Sequence, residues 1–210
     1  MKNILVVIDM QNDFVYGKFF NKNAQKIVNP IFQEINQNTV PYDKIIFTKD
    51  RHEKDEFITI SSNENKITYE GRWFTPHCVD YADMDIVYPI SKAIQYCNTT
   101  IGLKSQFDGS WRIIDILSEN YPTEKEPYNI YICGTCTDIC VLATAIGFTK
   151  YNNIKNITVL TDLCAGTSHK AHKTAIAALK SFGIETITTK QLKRKQKAYK
   201  TYTATGDFEW

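Results

Sequence analysis

Short runs of consecutive apolar residues alternate along this chain with segments whose apolar residues recur every three or four positions. The runs "NILVVID" (3–9), "KIIFTKD" (44–50), "NTTIGLK" (98–104), "YNIYICG" (128–134), "KNITVLTD" (155–162) and "IETITT" (184–189) are β-branched and short, which predicts strands. Between them, helical spacing runs through 23–38, 90–96, 110–119, 138–148 and 168–183. Pro30 inside the first of these implies a kink or a break. Gly183 stands where a helix C′ cap is expected. Strands with near-continuous apolar character, alternating with helices, point to a parallel sheet covered on both faces. The expected fold is therefore a three-layer α/β/α domain with a mostly parallel, doubly wound sheet of about six strands. We expect a single domain over residues 1–210, with a long irregular segment at about 50–88 and a basic tail at about 190–210.

Composition narrows the function classes. Apolar residues make up 43% of the 210 residues, enough for a sizeable core, and the net charge is only +2. That balance gives no electrostatic case for nucleic acid. The run "KQLKRKQKAYK" is local and reads as a solvated tail or helix. The N-terminus "MKNILVVIDMQ" lacks the apolar length and cleavage site of a signal peptide, and no stretch is long enough to span a membrane. Six cysteines without a secretory signal point to free thiols in a reducing, cytoplasmic setting.

In open parallel sheets the ligand crevice lies outside the carboxyl ends of the strands. The first strand ends at Asp9, the second at Asp50 with His52 just beyond, and the third at Lys104. The fourth runs into "GTCTDIC", which puts Cys140 in the first turn of the next helix. A carboxylate, an ammonium and a thiol thus reach one rim from three strands. A helix N-terminus and a nearby cation both lower a thiol's pKa, and Cys140 has access to both. Cys133 falls within a strand and reads as a small buried hydrophobe. Cys136 sits in the turn, where its backbone N–H matters more than its thiol. A redox dithiol in "CGTC" would need its first cysteine exposed at a helix start, yet the helix begins after Thr137, the expected N-cap. A cysteine zinc site would need a second ligand pair, yet Cys78, Cys97 and Cys164 are scattered singly.

The long segment offers a different metal set. Asp50 and His52 leave the second strand together, and "YEGRWFTPHC" carries Glu70 and His77. Two imidazoles with two carboxylates suit divalent Zn, Mn or Fe. An irregular segment of this length is itself a sign of function. His169 and His172 share a ligand-like spacing but read as the first turn of a helix.

Taken in order, "VVIDMQNDF", "TKDRH", "PHC", the lysine after the third strand, "GTCTDICVLATA" and "DLCAGTSHKAHKTAIAALKSFG" resemble the isochorismatase-like cysteine hydrolases, and within them the nicotinamidase branch. The likeness runs over about residues 3–190. It implies a triad of Asp9, Lys104 and Cys140, and an oxyanion hole from the backbone N–H groups of Cys136 and Cys140. It also implies a non-proline cis peptide at Thr135–Cys136, and a divalent metal, zinc first with manganese or iron as alternatives, on Asp50, His52, His77 and Glu70. Phe14 and Trp73 would line the substrate ring, and Gln11 would stand beside it, positioning metal waters or the adjoining loop. The implied activity is hydrolysis of nicotinamide to nicotinate and ammonia, feeding NAD salvage, with self-association into a homo-oligomer. The alternatives are an amidase of the same group acting on a pyrazinamide-like or carbamoyl substrate, and a non-catalytic metal or thiol module. Ile139 stands where the family often has histidine, and "SQFDGS" after Lys104 is not the family's commonest form.

Overall fold

The computed structural model describes residues 1–53, 76–94, 98–122 and 127–205. Its strands are β1 (Lys2–Ile8), β2 (Lys44–Asp50), β3 (Thr99–Lys104), β4 (Tyr128–Thr135), β5 (Ile154–Ala165) and β6 (Glu185–Ile187). They form one parallel sheet in the order β3-β2-β1-β4-β5-β6. The helices are α1 (Asn12–Val15), α2 (Val28–Gln37), α3 (Tyr81–Met84), α4 (Ile90–Ala93), α5 (Ser110–Asn120), α6 (Leu142–Phe148), α7 (His169–Ser181) and α8 (Thr189–Thr205). α2 packs against α4, while α6 packs against both α5 and α7. Right-handed crossovers put these two groups on opposite faces of the sheet. The three-layer parallel fold read from the apolar pattern is the fold observed.

β1 lies at the centre, and Ile4 to Ile8 are all fully buried. The chain leaves β1 toward β2 and β3, then returns across the sheet to β4 on β1's other side. The order therefore reverses between β1 and β4, and a crevice opens there at the carboxyl ends. The two strands approach so closely that a Cβ on Gly134 would sit 2.1 Å from the Ile8 carbonyl oxygen, and Gly134 also has φ +117°. Only glycine fits this position.

Several boundaries differ from the expected ones for local reasons. The 23–38 segment breaks into a 3-10 turn at Ala24–Ile27 and then α2. Pro30 falls in the first turn of α2, where its missing N–H costs no helical bond. α2 ends at Asn38 in the left-handed region. β5 runs on to Ala165, because Cys164 and Ala165 pair with Gly134 and Thr135. β6 stops at Ile187, because the next residue caps α8: the Thr188 N–H donates to Gln191 Oε1 at 2.7 Å, and the Gln191 N–H donates back to Thr188 Oγ1 at 3.2 Å. The basic run is thus helical. α7 begins at the Ser168 cap, which accepts the Ala171 N–H, and ends before Gly183 at φ +75°. No helix among the described residues is long and apolar enough to cross a membrane.

Candidate active site

The carboxyl ends of β1, β2 and β3 and the turn after β4 deliver side chains to the β1–β4 crevice. Asp9 follows β1 at φ +48°, a left-handed conformation unusual for a residue with a side chain. It is held there by Thr48 on β2, whose hydroxyl accepts the Asp9 N–H at 3.1 Å and donates to Asp9 Oδ1 at 2.6 Å. Asp50 and Lys104 end adjacent strands and are partners in register. Lys104 Nζ lies 2.8 Å from Asp9 Oδ2, 3.2 Å from Asp50 Oδ1 and 3.8 Å from Cys140 Sγ. All four groups are buried. The sequence-expected trio of Asp9, Lys104 and Cys140 is brought together, with Lys104 as its hub.

Electrostatics in this cluster follow from burial. Desolvation raises the Asp9 carboxyl above its ordinary value, against the pull of Lys104. Burial would lower Lys104, but Asp50, Asp9 and Cys140 outweigh it and hold the ammonium charged. Asp50 also suffers burial, yet Lys104 and hydrogen bonds from His52 and His77 keep it well below the usual carboxylate range. Burial pushes the Cys140 thiol well up, with Lys104 opposing. The expected lowering of this thiol is therefore overturned. Desolvation of a thiolate outweighs one ammonium that is already shared between two carboxylates.

Cys140 stands in a π-helical turn, Thr137–Val141, that precedes α6. The cap position is Cys136 rather than the expected Thr137. The Thr137 hydroxyl is engaged elsewhere, 2.9 Å from His172 Nδ1. The peptide before Cys136 is cis, as the family resemblance implied. Asn21 braces this corner: its Nδ2 donates to Thr135 Oγ1 and to the Gly166 carbonyl, both at 3.1 Å. Cys133 is fully buried within β4, as expected, so "CGTC" does not present two thiols at a helix start. The five described cysteines, Cys78, Cys133, Cys136, Cys140 and Cys164, are free.

Beside the thiol, Asp50, His52 and His77 form a buried group whose potential ligand atoms all lie within 4.8 Å of one another. Each imidazole Nε2 approaches Asp50 Oδ2, at 3.3 and 3.4 Å. Two imidazoles and a carboxylate converging in a dry site fit a divalent metal. Asp50 joins this group to the Asp9–Lys104–Cys140 cluster, since its other oxygen faces Lys104. Glu70 and Trp73 lie outside the described residues. His169 and His172 belong to the first turn of α7, as read from the sequence.

A narrow pocket opens onto both groups, lined by Phe14, Phe19, Phe107, Ile139, Asp50, His77, Thr135, Cys136 and Cys140. Phe14 was legible in "QNDF", whereas Phe19, Phe107 and Ile139 were not assigned to the ring site. For the last two a signal existed: both sit at the noted departures from the family pattern. Gln11 is fully buried and does not line the pocket. Its Oε1 accepts the Asp50 N–H at 2.7 Å, and its Nε2 donates to the carbonyls of Asp50 and Met84 at 2.9 and 3.1 Å. It therefore ties the Asp50 backbone to the end of α3. A larger groove, about 860 Å³, lies at the amino end of β5 and contains none of these residues.

A parallel α/β sheet that presents a buried thiol, carboxylate and ammonium next to a His–His–Asp group defines a class of small-molecule hydrolase architectures. The chain belongs to the isochorismatase family: the Isochorismatase domain matches residues 3–191. It is similar to the nicotinamidase of Schizosaccharomyces pombe, with 24% identity over 89% of this chain and 93% of that protein. Among solved structures, the nicotinamidase/pyrazinamidase of Bacillus subtilis has a TM-score of 0.71 at 23% identity, covering 89% of this chain and 100% of that one. The pyrazinamidase of Pyrococcus horikoshii, solved in complex with zinc, has a TM-score of 0.69 at 24% identity, covering 90% and 99%.

Proposed function

We propose that the protein is a nicotinamidase, a cysteine amidohydrolase that converts nicotinamide to nicotinate and ammonia within NAD salvage. The observation that carries this reading is the placement of Lys104 Nζ among Asp9, Asp50 and Cys140, beside an aromatic pocket that Asp50, His77 and Cys140 line. The similarity to curated nicotinamidases supports the same substrate.

The pocket walls Phe14, Phe19 and Phe107 suit a flat heteroaromatic ring. Asp50, His52 and His77, with Glu70 as a fourth ligand, would hold a divalent cation, zinc by preference. That ion would supply a Lewis-acid anchor for the ring nitrogen. The ring then leaves its carboxamide carbon over Cys140. The resting thiol is protonated, so attack and proton transfer go together: Cys140 Sγ bonds to the carboxamide carbon while its proton passes to Asp9. The backbone N–H groups of Cys136 and Cys140 receive the oxyanion. Asp9 returns the proton to the leaving nitrogen, the C–N bond breaks, and ammonia departs. A water then gives a proton to Asp9 as its oxygen adds to the thioester carbon; the C–S bond breaks, Asp9 returns that proton to Cys140 Sγ, and the freed acid ionises to nicotinate. Throughout, the Lys104 ammonium keeps the Asp9 and Asp50 carboxylates from repelling one another.

Ammonia release from purified, metal-loaded protein tests the reading, with nicotinamide, pyrazinamide and a carbamoyl amide offered in parallel. Nicotinamide turned over at least as well as the others, with activity lost on chelation and restored by zinc, is the expected result. Turnover of the carbamoyl amide alone would move the protein to another amidase of the family. No ammonia from any of them would refute the enzymatic reading.

A further inference from the structure

Asp13 is a buried carboxylate for which the reaction described above has no use. It sits in α1, 1% exposed, and it makes two bonds to backbone donors far apart in the chain. Its Oδ2 accepts the Cys78 N–H at 2.7 Å, and its Oδ1 accepts the Phe19 N–H at 3.2 Å. Both donors adjoin His77. The Cys78 N–H belongs to the peptide unit that carries the His77 carbonyl, so holding it fixes that plane. The ring of Phe19 stacks on the His77 imidazole, with centroids 4.8 Å apart and planes 27° from parallel. One carboxylate thus secures the main chain beyond His77 and the residue whose ring covers the imidazole.

Three further features show that this arrangement is built. Cys78 has φ +50°, a left-handed conformation that a residue with a Cβ resists, so this turn needs outside bonds to keep it. The Cys78 carbonyl accepts the His52 N–H at 3.2 Å, so the turn held by Asp13 also carries the second imidazole. Finally, a Cβ on Gly17 would meet Asp13 Cα and Oδ1 at 2.7 Å, so the glycine leaves room for the carboxylate to reach both donors. Asp13 is not among the three clustered ligands, Asp50, His52 and His77.

We infer that Asp13 is the positioning residue of the metal centre, holding His77 by the Cys78 peptide and the Phe19 ring, and His52 through the Cys78 carbonyl. The inference rests on the reading of Asp50, His52 and His77 as a divalent-metal site. Outer partners of metal ligands act by pre-setting the ligand's place, and their loss weakens metal binding without removing a ligand.

The test measures metal affinity rather than turnover. Full-length protein is stripped of metal and titrated with Co²⁺. Binding is read from the visible absorption of the coordinated ion and from competition with a chelator. Asp13→Ala is expected to weaken Co²⁺ binding by about 10–100-fold. Asp13→Asn keeps one oxygen for the Cys78 N–H and is expected to lie between Asp13→Ala and the wild type. Glu34→Gln serves as the control: Glu34 is a buried carboxylate that accepts bonds from Thr39 and Tyr42 at the end of α2. It should lower the melting temperature and leave Co²⁺ affinity unchanged. Unchanged affinity in Asp13→Asn and in any folded Asp13→Ala would overturn the inference. So would equal weakening by Glu34→Gln, since the effect would then be general destabilisation. A wild type that shows no coordinated Co²⁺ would overturn the metal centre itself and the inference with it, independently of whether ammonia is released from nicotinamide.

Discussion

The two ends of the sheet solve the same problem in different ways. At the amino ends of β1, β4 and β5, uncharged side-chain amides bond to one another from strand to strand. Asn156 Nδ2 donates to Asn129 Oδ1 at 2.8 Å, and Asn129 Nδ2 donates to Asn3 Oδ1 at 2.9 Å. These residues are register partners across β5, β4 and β1, so the amides form a ladder over three strands. At the carboxyl ends of β1 to β4 stand charged or ionisable groups instead: Asp9, Asp50, Lys104 and, in the turn after β4, Cys140, all buried. A neutral ladder gains a modest net stability from each bond. A buried charge cluster is costly to assemble and is disrupted when its shared cation is lost. The amino end is built for stability and the carboxyl end for chemistry.

The largest break in this contrast is expected from Lys104→Ala. It leaves the carboxylates of Asp9 and Asp50 buried without their shared cation, so about 3–5 kcal/mol of stability should be lost together with activity. Chemical denaturation and ammonia release measure both. A variant as stable as the wild type would show that the cluster is not held by charge.

Asp9→Asn should separate the two quantities. Proton transfer by Asp9 is lost, so activity should fall by about 10²–10⁴-fold. Stability should not fall with it. The folded carboxyl titrates above its unfolded value, so its ionised form costs stability, a cost that fades as pH falls through the raised folded value and is gone below the unfolded one. Asparagine carries no such charge and tolerates φ +48°. A melting temperature equal to or above that of the wild type at pH 7 is expected, and a marked decrease would refute the reading of Asp9 as a strained functional group.

At the opposite end, Asn129→Ala removes the middle of the ladder. It should cost about 1–2 kcal/mol, read as a lower midpoint of denaturation, and leave kcat/KM unchanged. The smallest effect concerns pH. Asp9 must be ionised to take the thiol proton, so kcat/KM should fall as pH drops through its raised pKa, above the ordinary carboxylate value of about 4. Thr48 donates to Asp9 and lowers that pKa, so Thr48→Val should move the acid limb to higher pH. A limb that stays in place would remove Asp9 from the role of proton acceptor.

What could be read in advance also divides along this line. The strands were legible because a strand buried on both faces must be apolar throughout, and β2 was read with its observed bounds. The ionisable groups of the site were legible because a parallel sheet sends the residues at the strand ends to one rim, which is how Asp9, Asp50 and Lys104 declared themselves. Phe19 was not legible, since its place depends on the turn at Gly17 and on the Asp13 carboxylate that this turn brings back to its N–H. Asn21 and Gln11 act on backbone groups far along the chain, and no spacing records such bonds. The direction of the Cys140 shift failed for a similar reason. A helix start and a lysine are visible in a sequence, whereas full burial of the thiol is a property of the packed site.

The most direct test of the account is ammonia release from nicotinamide by the metal-loaded wild type and by Cys140→Ala under the same conditions. The account predicts steady release by the wild type and a rate in the variant lower by several orders of magnitude, with the variant still folded and still binding metal. Turnover by Cys140→Ala at a rate near that of the wild type would contradict it.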